Sequence, residues 1–125
     1  MLGQTKAFSS FSTNDIQEAK AFYEKLGLQV KIENRMDEML IIELNGGHQV
    51  LLYPKSNHEP ASFTVLNFPV PDVEKTVDEL TAKGIRFEQY QELRTDEKGI
   101  SRIGDFAVAW FKDPSGNILS ILKDQ

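Results

Sequence analysis

Two stretches of the chain carry apolar residues at helical spacing, and the second repeats the first. Between Asp15 and Gly27, the side chains of Ile16, Ala19, Tyr23 and Leu26 fall on one helical face, with polar residues on the other. Asp15 is placed to accept the free amide hydrogens of a first turn. Glu18 stands three positions on, as in a capping box, and Gly27 suits the left-handed residue that ends a helix. Between Asp72 and Gly84 the pattern returns: Pro71 precedes the cap, Val73, Val77 and Leu80 form the stripe, and Gly84 closes it. The spacing predicts two amphipathic helices, each resting its apolar face on a sheet.

Strand-like segments surround both helices. Residues 6–13, 29–35, 39–44 and 49–53 read as strands of the first half, with Met36-Asp37-Glu38 and Asn45-Gly46-Gly47-His48 as turns. In the second half the expected strands are 62–68, 85–92, 106–112 and 117–122, and the charged segment 94–104 reads as a loop pivoting on Gly99 and Gly104. Each half is then β-α-β-β-β, module 1 over about 5–54 and module 2 over about 62–123, joined by a linker at 55–61. Either half alone is too small to bury a large core. The pattern therefore predicts one α+β domain spanning residues 1–125, with function sought between its halves.

Composition narrows the partners. The chain has 125 residues, 40% of them apolar, and a formal charge of −5. Lys and Arg are scattered, so neither a phosphate backbone nor an anionic membrane is an expected partner. The amino terminus has no apolar run of signal-peptide length and no segment is long enough to span a bilayer, which points to the cytoplasm. The absence of cysteine removes disulfides, thiolate catalysis and cysteine-based zinc sites.

Three features taken together are more specific than any one of them: the repeat, the run Phe22-Tyr23-x-x-Leu26-Gly27-Leu28, and the turn Asp113-Pro114-Ser115-Gly116-Asn117. In this the chain resembles the vicinal oxygen chelate superfamily, which includes glyoxalase I, extradiol dioxygenases, fosfomycin-resistance enzymes and bleomycin-resistance proteins. The resemblance implies two βαβββ modules whose mixed sheet curves around a cleft, often completed by a second subunit, and hence a homodimer. It also implies where a metal would sit in members that use one: a His, Glu or Gln on the first strand of each module and a Glu or His on its last. Carried onto this chain, those positions are Phe8, Val65, Leu51 and Ser120. Their neighbours Ala7, Ser9, Val50, Leu52, Thr64, Leu66, Leu119 and Ile121 contain no His, Asp or Glu either, so a register slip does not restore a ligand. No metal or cofactor is expected.

Other chemistry is sparse. His48 lies in a hairpin turn and His58 in the linker, where solvated polar roles are the commoner ones. No Gly-x-Ser-x-Gly occurs, and Gly46-Gly47 lacks the strand-to-helix context of a phosphate loop. Arg94 and Arg102 suit either an acidic ligand or solvent. What remains is an apolar and aromatic set, Phe8, Leu51, Tyr53, Val65, Phe106 and Trp110, with Asn67 and Ser120 as polar members. These residues either fill a core or line a pocket for a flat or apolar small molecule. Alternation puts Phe106, Val108 and Trp110 on one strand face and Ala107, Ala109 and Phe111 on the other, where small alanines suit a covering helix. The expected function is metal-independent binding of a small organic molecule, as the bleomycin-resistance branch does by sequestration. The alternatives are a metal-dependent lyase or dioxygenase with displaced ligands, and a pure interaction module.

Overall fold

In the computed structural model, which describes residues 1–34 and 36–124, both capping aspartates act as their positions suggest. Asp15 accepts the Glu18 amide at 3.0 Å ahead of helix α1 (Ile16–Lys25), and Asp72 accepts the Lys75 amide at 3.0 Å ahead of helix α2 (Val73–Ala82). Each helix ends against a glycine in the left-handed region, Gly27 at φ 88° and Gly84 at φ 93°. The chain divides into two compact units, the first Met1–Glu59 and the second beginning at Pro60.

The first unit holds β1 (Ser9–Thr13), α1, β2 (Gln29–Asn34), β3 (Glu38–Glu43) and β4 (Gln49–Pro54). Its sheet has the order β1-β4-β3-β2, with β1 parallel to β4 and the other neighbours antiparallel. Leu40 pairs with Leu52 and Ile42 with Val50, and all four are buried on the side where α1 brings Ile16, Ala19 and Tyr23. Burying one such aliphatic side chain contributes about 1.5–3 kcal/mol, so this layer dominates the unit's stability. Alternation leaves Ser10, Ser12, Ile41, Leu51 and Tyr53 on the face away from the helix.

The second unit holds β5 (Thr64–Val70), α2, β6 (Ile100–Ile103), β7 (Phe106–Lys112) and β8 (Ile118–Lys123), in the order β5-β8-β7-β6. Val73 and Val77 of α2 cover Ala109, Phe111, Leu119 and Ile121, all buried. Pro69 is tolerated within β5 because that strand lies at the sheet edge. The turn between β7 and β8 is built by Asp113. One carboxylate oxygen accepts the amides of Ser115 and Asn117 and the other accepts the Asn117 side-chain amide, each at 2.9 Å.

Several expected boundaries shift. β1 starts at Ser9 rather than residue 6, after a 3-10 turn at Leu2–Gln4, and Arg35, expected to end a strand, lies outside the described residues. The larger correction concerns 85–92, which forms no strand. Phe87 alone bridges Phe111, the Glu88 amide bonds the Trp110 carbonyl at 2.8 Å, and a 3-10 turn follows at Gln91–Leu93. The strand expected there is supplied instead by Ile100–Ile103, inside the segment read as loop. The free edge of β7 is thus shared: β6 pairs its first half through Ile100↔Ala109 and Ile103↔Phe106, and Phe87 with Glu88 pairs its second half. Neither piece is long enough to show a strand period.

Candidate functional site

Cross-strand register builds the site on the second unit's sheet, on the face away from α2. Asn67 of β5 lies beside Ser120 of β8, which lies beside Trp110 of β7. Ser120 is only 1% exposed, and its hydroxyl donates to the Asn67 side-chain oxygen at 2.6 Å, so neither polar group is left unpaired. Trp110 is half-buried. Its indole meets the Tyr90 ring edge-on, with centroids 5.6 Å apart and planes at 75°. These two rings, with Phe63, Thr64, Leu93 and Ile118, line a depression of about 260 Å³ that Glu92 borders.

Tyr90 and Leu93 reach Trp110 because residues 89–99 leave the edge of the sheet and return. The Thr95 hydroxyl accepts the Tyr90 amide at 2.8 Å, and the Ser101 hydroxyl donates to the Leu93 carbonyl at 2.7 Å. Asp96 closes the excursion by accepting the amides of Lys98 and Ile100, both at 2.9 Å, and the Arg102 guanidinium. Arg102 and Lys98 in turn bond Glu74 at 2.9 and 3.2 Å, and Lys98 reaches Asp78, fastening the segment to α2. Burial works to raise the Asp96 carboxyl, but the Ile100 amide, Arg102 and the Lys98 amide outweigh it and hold it below the ordinary carboxylate range. Tyr90 shifts the other way: burial first, then the carboxylates of Glu88 and Glu92, raise its phenol and keep it neutral.

The residues singled out from sequence are therefore distributed. Asn67, Trp110 and Ser120 come together. Val65 has no cross-strand partner, because it is the extra residue of a β-bulge between Thr64 and Leu66; Thr64, not Val65, pairs with Ile118. Phe106, 37% exposed, belongs to a separate depression of about 400 Å³ at the β6–β7 hairpin, with Ile103, Asp105, Lys123 and Asp124. In the first unit Leu51 and Tyr53 are half-buried on the face away from α1, and Phe8, 61% exposed, precedes β1. Arg102 is committed to Asp96 and Glu74, whereas Arg94 is exposed at φ 54°.

Tyr90, Leu93, Thr64 and Ile118 carry no motif, and only the split edge strand brings them in. His58 was also placed by sequence only in a linker. Its Nδ1 lies 2.6 Å from the Ser12 hydroxyl, on the strand face that carries Tyr53, while His48 stays exposed in its turn.

A metal of the kind the resemblance implies does not fit these side chains. Phe8, Leu51 and Val65 have no donor atom, and the Ser120 hydroxyl is spent on Asn67. Among the described residues, no three of His, Cys, Asp and Glu converge to hold an ion. No helix among them is long and apolar enough to cross a membrane.

Comparison with known proteins places the chain. It is 30% identical over 125 residues to the uncharacterized protein YraH of Bacillus subtilis (strain 168), covering 88% of this chain and 91% of the relative. Its fold superposes with a TM-score of 0.73 on TnmS3, described as an antibiotic binding protein from Streptomyces sp. CB03234, at 20% identity and 98% coverage of both chains. A bleomycin-binding protein complexed with bleomycin superposes at 0.66 with 18% identity, over 98% of this chain and 100% of that one. With residues 7–121 matched by the family's sequence profile, the chain belongs to the Glyoxalase/Bleomycin resistance protein/Dioxygenase superfamily.

Proposed function

We propose that this protein binds a small organic molecule by burial and aromatic stacking, without a metal, on the face that carries Trp110. The observation that carries this reading is the half-buried Trp110 standing perpendicular to Tyr90 over a largely apolar depression, with the Ser120–Asn67 pair as its polar neighbour. Aromatic walls with a few fixed polar groups are the usual composition of a small-molecule site. Support also comes from the antibiotic binding and bleomycin-binding proteins that share the fold. Val65 and Phe106 in the second unit are proposed as further ligand-contacting positions, and Phe8, Leu51 and Tyr53 as ligand-contacting positions of the first unit taken by itself. A lyase or dioxygenase mechanism is disfavoured, since it needs an ion that the side chains at the inferred positions do not hold.

The test is a titration of the only tryptophan's fluorescence with a panel of aromatic antibiotics, glutathione conjugates and small keto acids, run beside thermal shift. A saturable change in Trp110 emission with a matching rise in Tm is the expected result. Compounds that raise Tm and leave Trp110 emission untouched would move the site elsewhere and refute the reading. We also propose that the protein works in the cytoplasm as a homodimer, since each sheet has two edge strands to cover. Light scattering that gives 14.2 kDa across micromolar concentrations would remove the dimer.

A further inference from the structure

We infer that the depression beside Trp110 receives an alkylammonium group, so that the molecule bound is an organic cation. The inference rests on the preceding proposal that the Trp110 face binds small molecules, and it names their class. Three features carry it. Trp110 and Tyr90 stand at 75°, two walls of a corner, and Phe63 contributes a third ring, 67% exposed at the mouth. Ring faces attract a cation through their negative quadrupole, and a corner of rings surrounds a tetrahedral ammonium better than it stacks a planar ring system.

Charge points the same way. Glu92 is the one charged residue of the lining, and among the described residues no lysine or arginine pairs with it. Of the cations nearby, Lys98 and Arg102 pair with Glu74, Asp78 and Asp96, Lys112 pairs with Glu88 at 3.7 Å, and Arg94 is exposed and not part of the lining. Within the lining itself an anionic ligand would meet no counter-charge. The Tyr90 phenol registers this local field, since Glu88 and Glu92 both disfavour its anion, and the same carboxylates favour a positive guest. Size is the third feature. At about 260 Å³ the depression is smaller than the usual range for a drug-sized ligand and suits a compact head group with the rest of the molecule outside.

The test uses choline and its neutral isostere 3,3-dimethyl-1-butanol, titrated separately against Trp110 fluorescence in the wild type and in Glu92→Gln. Choline is expected to give a saturable change and the isostere to bind roughly three- to thirtyfold more weakly. Glu92→Gln, at an exposed position that leaves the fold intact by melting, should reduce that preference to the part the rings supply and leave the isostere unchanged. Equal affinity for the two compounds, or a choline preference wholly undiminished in Glu92→Gln, would overturn the assignment of the cation to this depression. If choline gives no change but the aromatic panel does, the cation assignment falls and small-molecule binding at Trp110 stands. If no compound of either set moves Trp110, both fall.

Discussion

Gly99 is where the excursion that carries Tyr90 and Leu93 returns to the sheet, and replacing it with alanine tests whether that return is as tight as the geometry requires. Its φ of 86° lies in the left-handed region, which costs a residue with a Cβ about 1–2 kcal/mol. Space adds a second cost. An alanine Cβ would sit 2.9 Å from the Glu88 carbonyl oxygen and 2.9 Å from the Phe87 Cβ. Neither neighbour yields easily: the Glu88 amide is bonded to the Trp110 carbonyl at 2.8 Å, and Phe87 packs on Phe111 with ring centroids 5.4 Å apart. Relieving that overlap costs about 1–3 kcal/mol more. Gly84→Ala is the control. Gly84 has φ 93° but no atom within 4 Å of its would-be Cβ, so it bears the conformational cost alone.

Urea denaturation should therefore find Gly99→Ala destabilised by about 2–5 kcal/mol and Gly84→Ala by about 1–2, with m unchanged in both. For a chain of this size the larger loss lowers Tm by about 8–20 °C. Because Glu88 is displaced from Trp110, the folded Gly99→Ala protein should also show red-shifted tryptophan emission, which Gly84→Ala should not. Equal losses for the two variants would refute the close approach and with it the placing of the excursion against Phe87 and Glu88.

Trp110→Ala should weaken binding of a true ligand by about 1–3 kcal/mol, read by calorimetry, while the protein still folds; normal affinity with a much lower Tm would make Trp110 core packing. Asp113→Ala strands the buried Asn117 backbone and side-chain amides and the part-buried Ser115 amide, and should cost about 2–4 kcal/mol in urea denaturation; a loss under 1 kcal/mol would contradict the turn as described. The Asp96 carboxyl is held below its ordinary 3.8 in the fold, so the unfolded chain takes up that proton more readily. Its stabilising contribution is complete above that range and lost as the pH falls through the folded value. Asp96→Asn should accordingly flatten the acid limb of stability against pH, and an unchanged limb would count against the network. Extensive dialysis followed by elemental analysis should find no stoichiometric divalent metal, and chelator should leave Tm unchanged; about one Zn, Ni, Mn or Fe per chain would overturn the metal-free reading.

The helices were legible because their signals are local: a capping aspartate, an apolar stripe and a closing glycine lie within one segment. So was the Asp113 turn, whose carboxylate bonds residues two and four positions on. The face of β7 could be assigned from residue size, since Ala109 fits beneath α2 and Trp110 does not have to. The bulge at Val65 could not, because one extra residue resets the alternation without changing the composition around it. The bond between Ser12 and His58 was equally hidden, as it joins positions far apart in the chain.

The least legible feature is also the one that makes the site. The two units repeat closely elsewhere: α1 and α2 are each 10 residues long, both are capped by aspartate, and both sheets set their first strand parallel to their last. They part at the sheet edge. In the first unit that edge is one strand, Gln29–Asn34, paired along β3. In the second it is cut into Phe87 and Ile100–Ile103, and the interval between the pieces supplies Tyr90, Glu92 and Leu93 to Trp110. A repeat conserves the framework that packing demands, so the place where its two copies differ in topology is where selection for something other than folding is most readily accommodated. That places the chemistry of this chain on the interrupted edge of β7 rather than at the four positions where its superfamily resemblance would have put a metal.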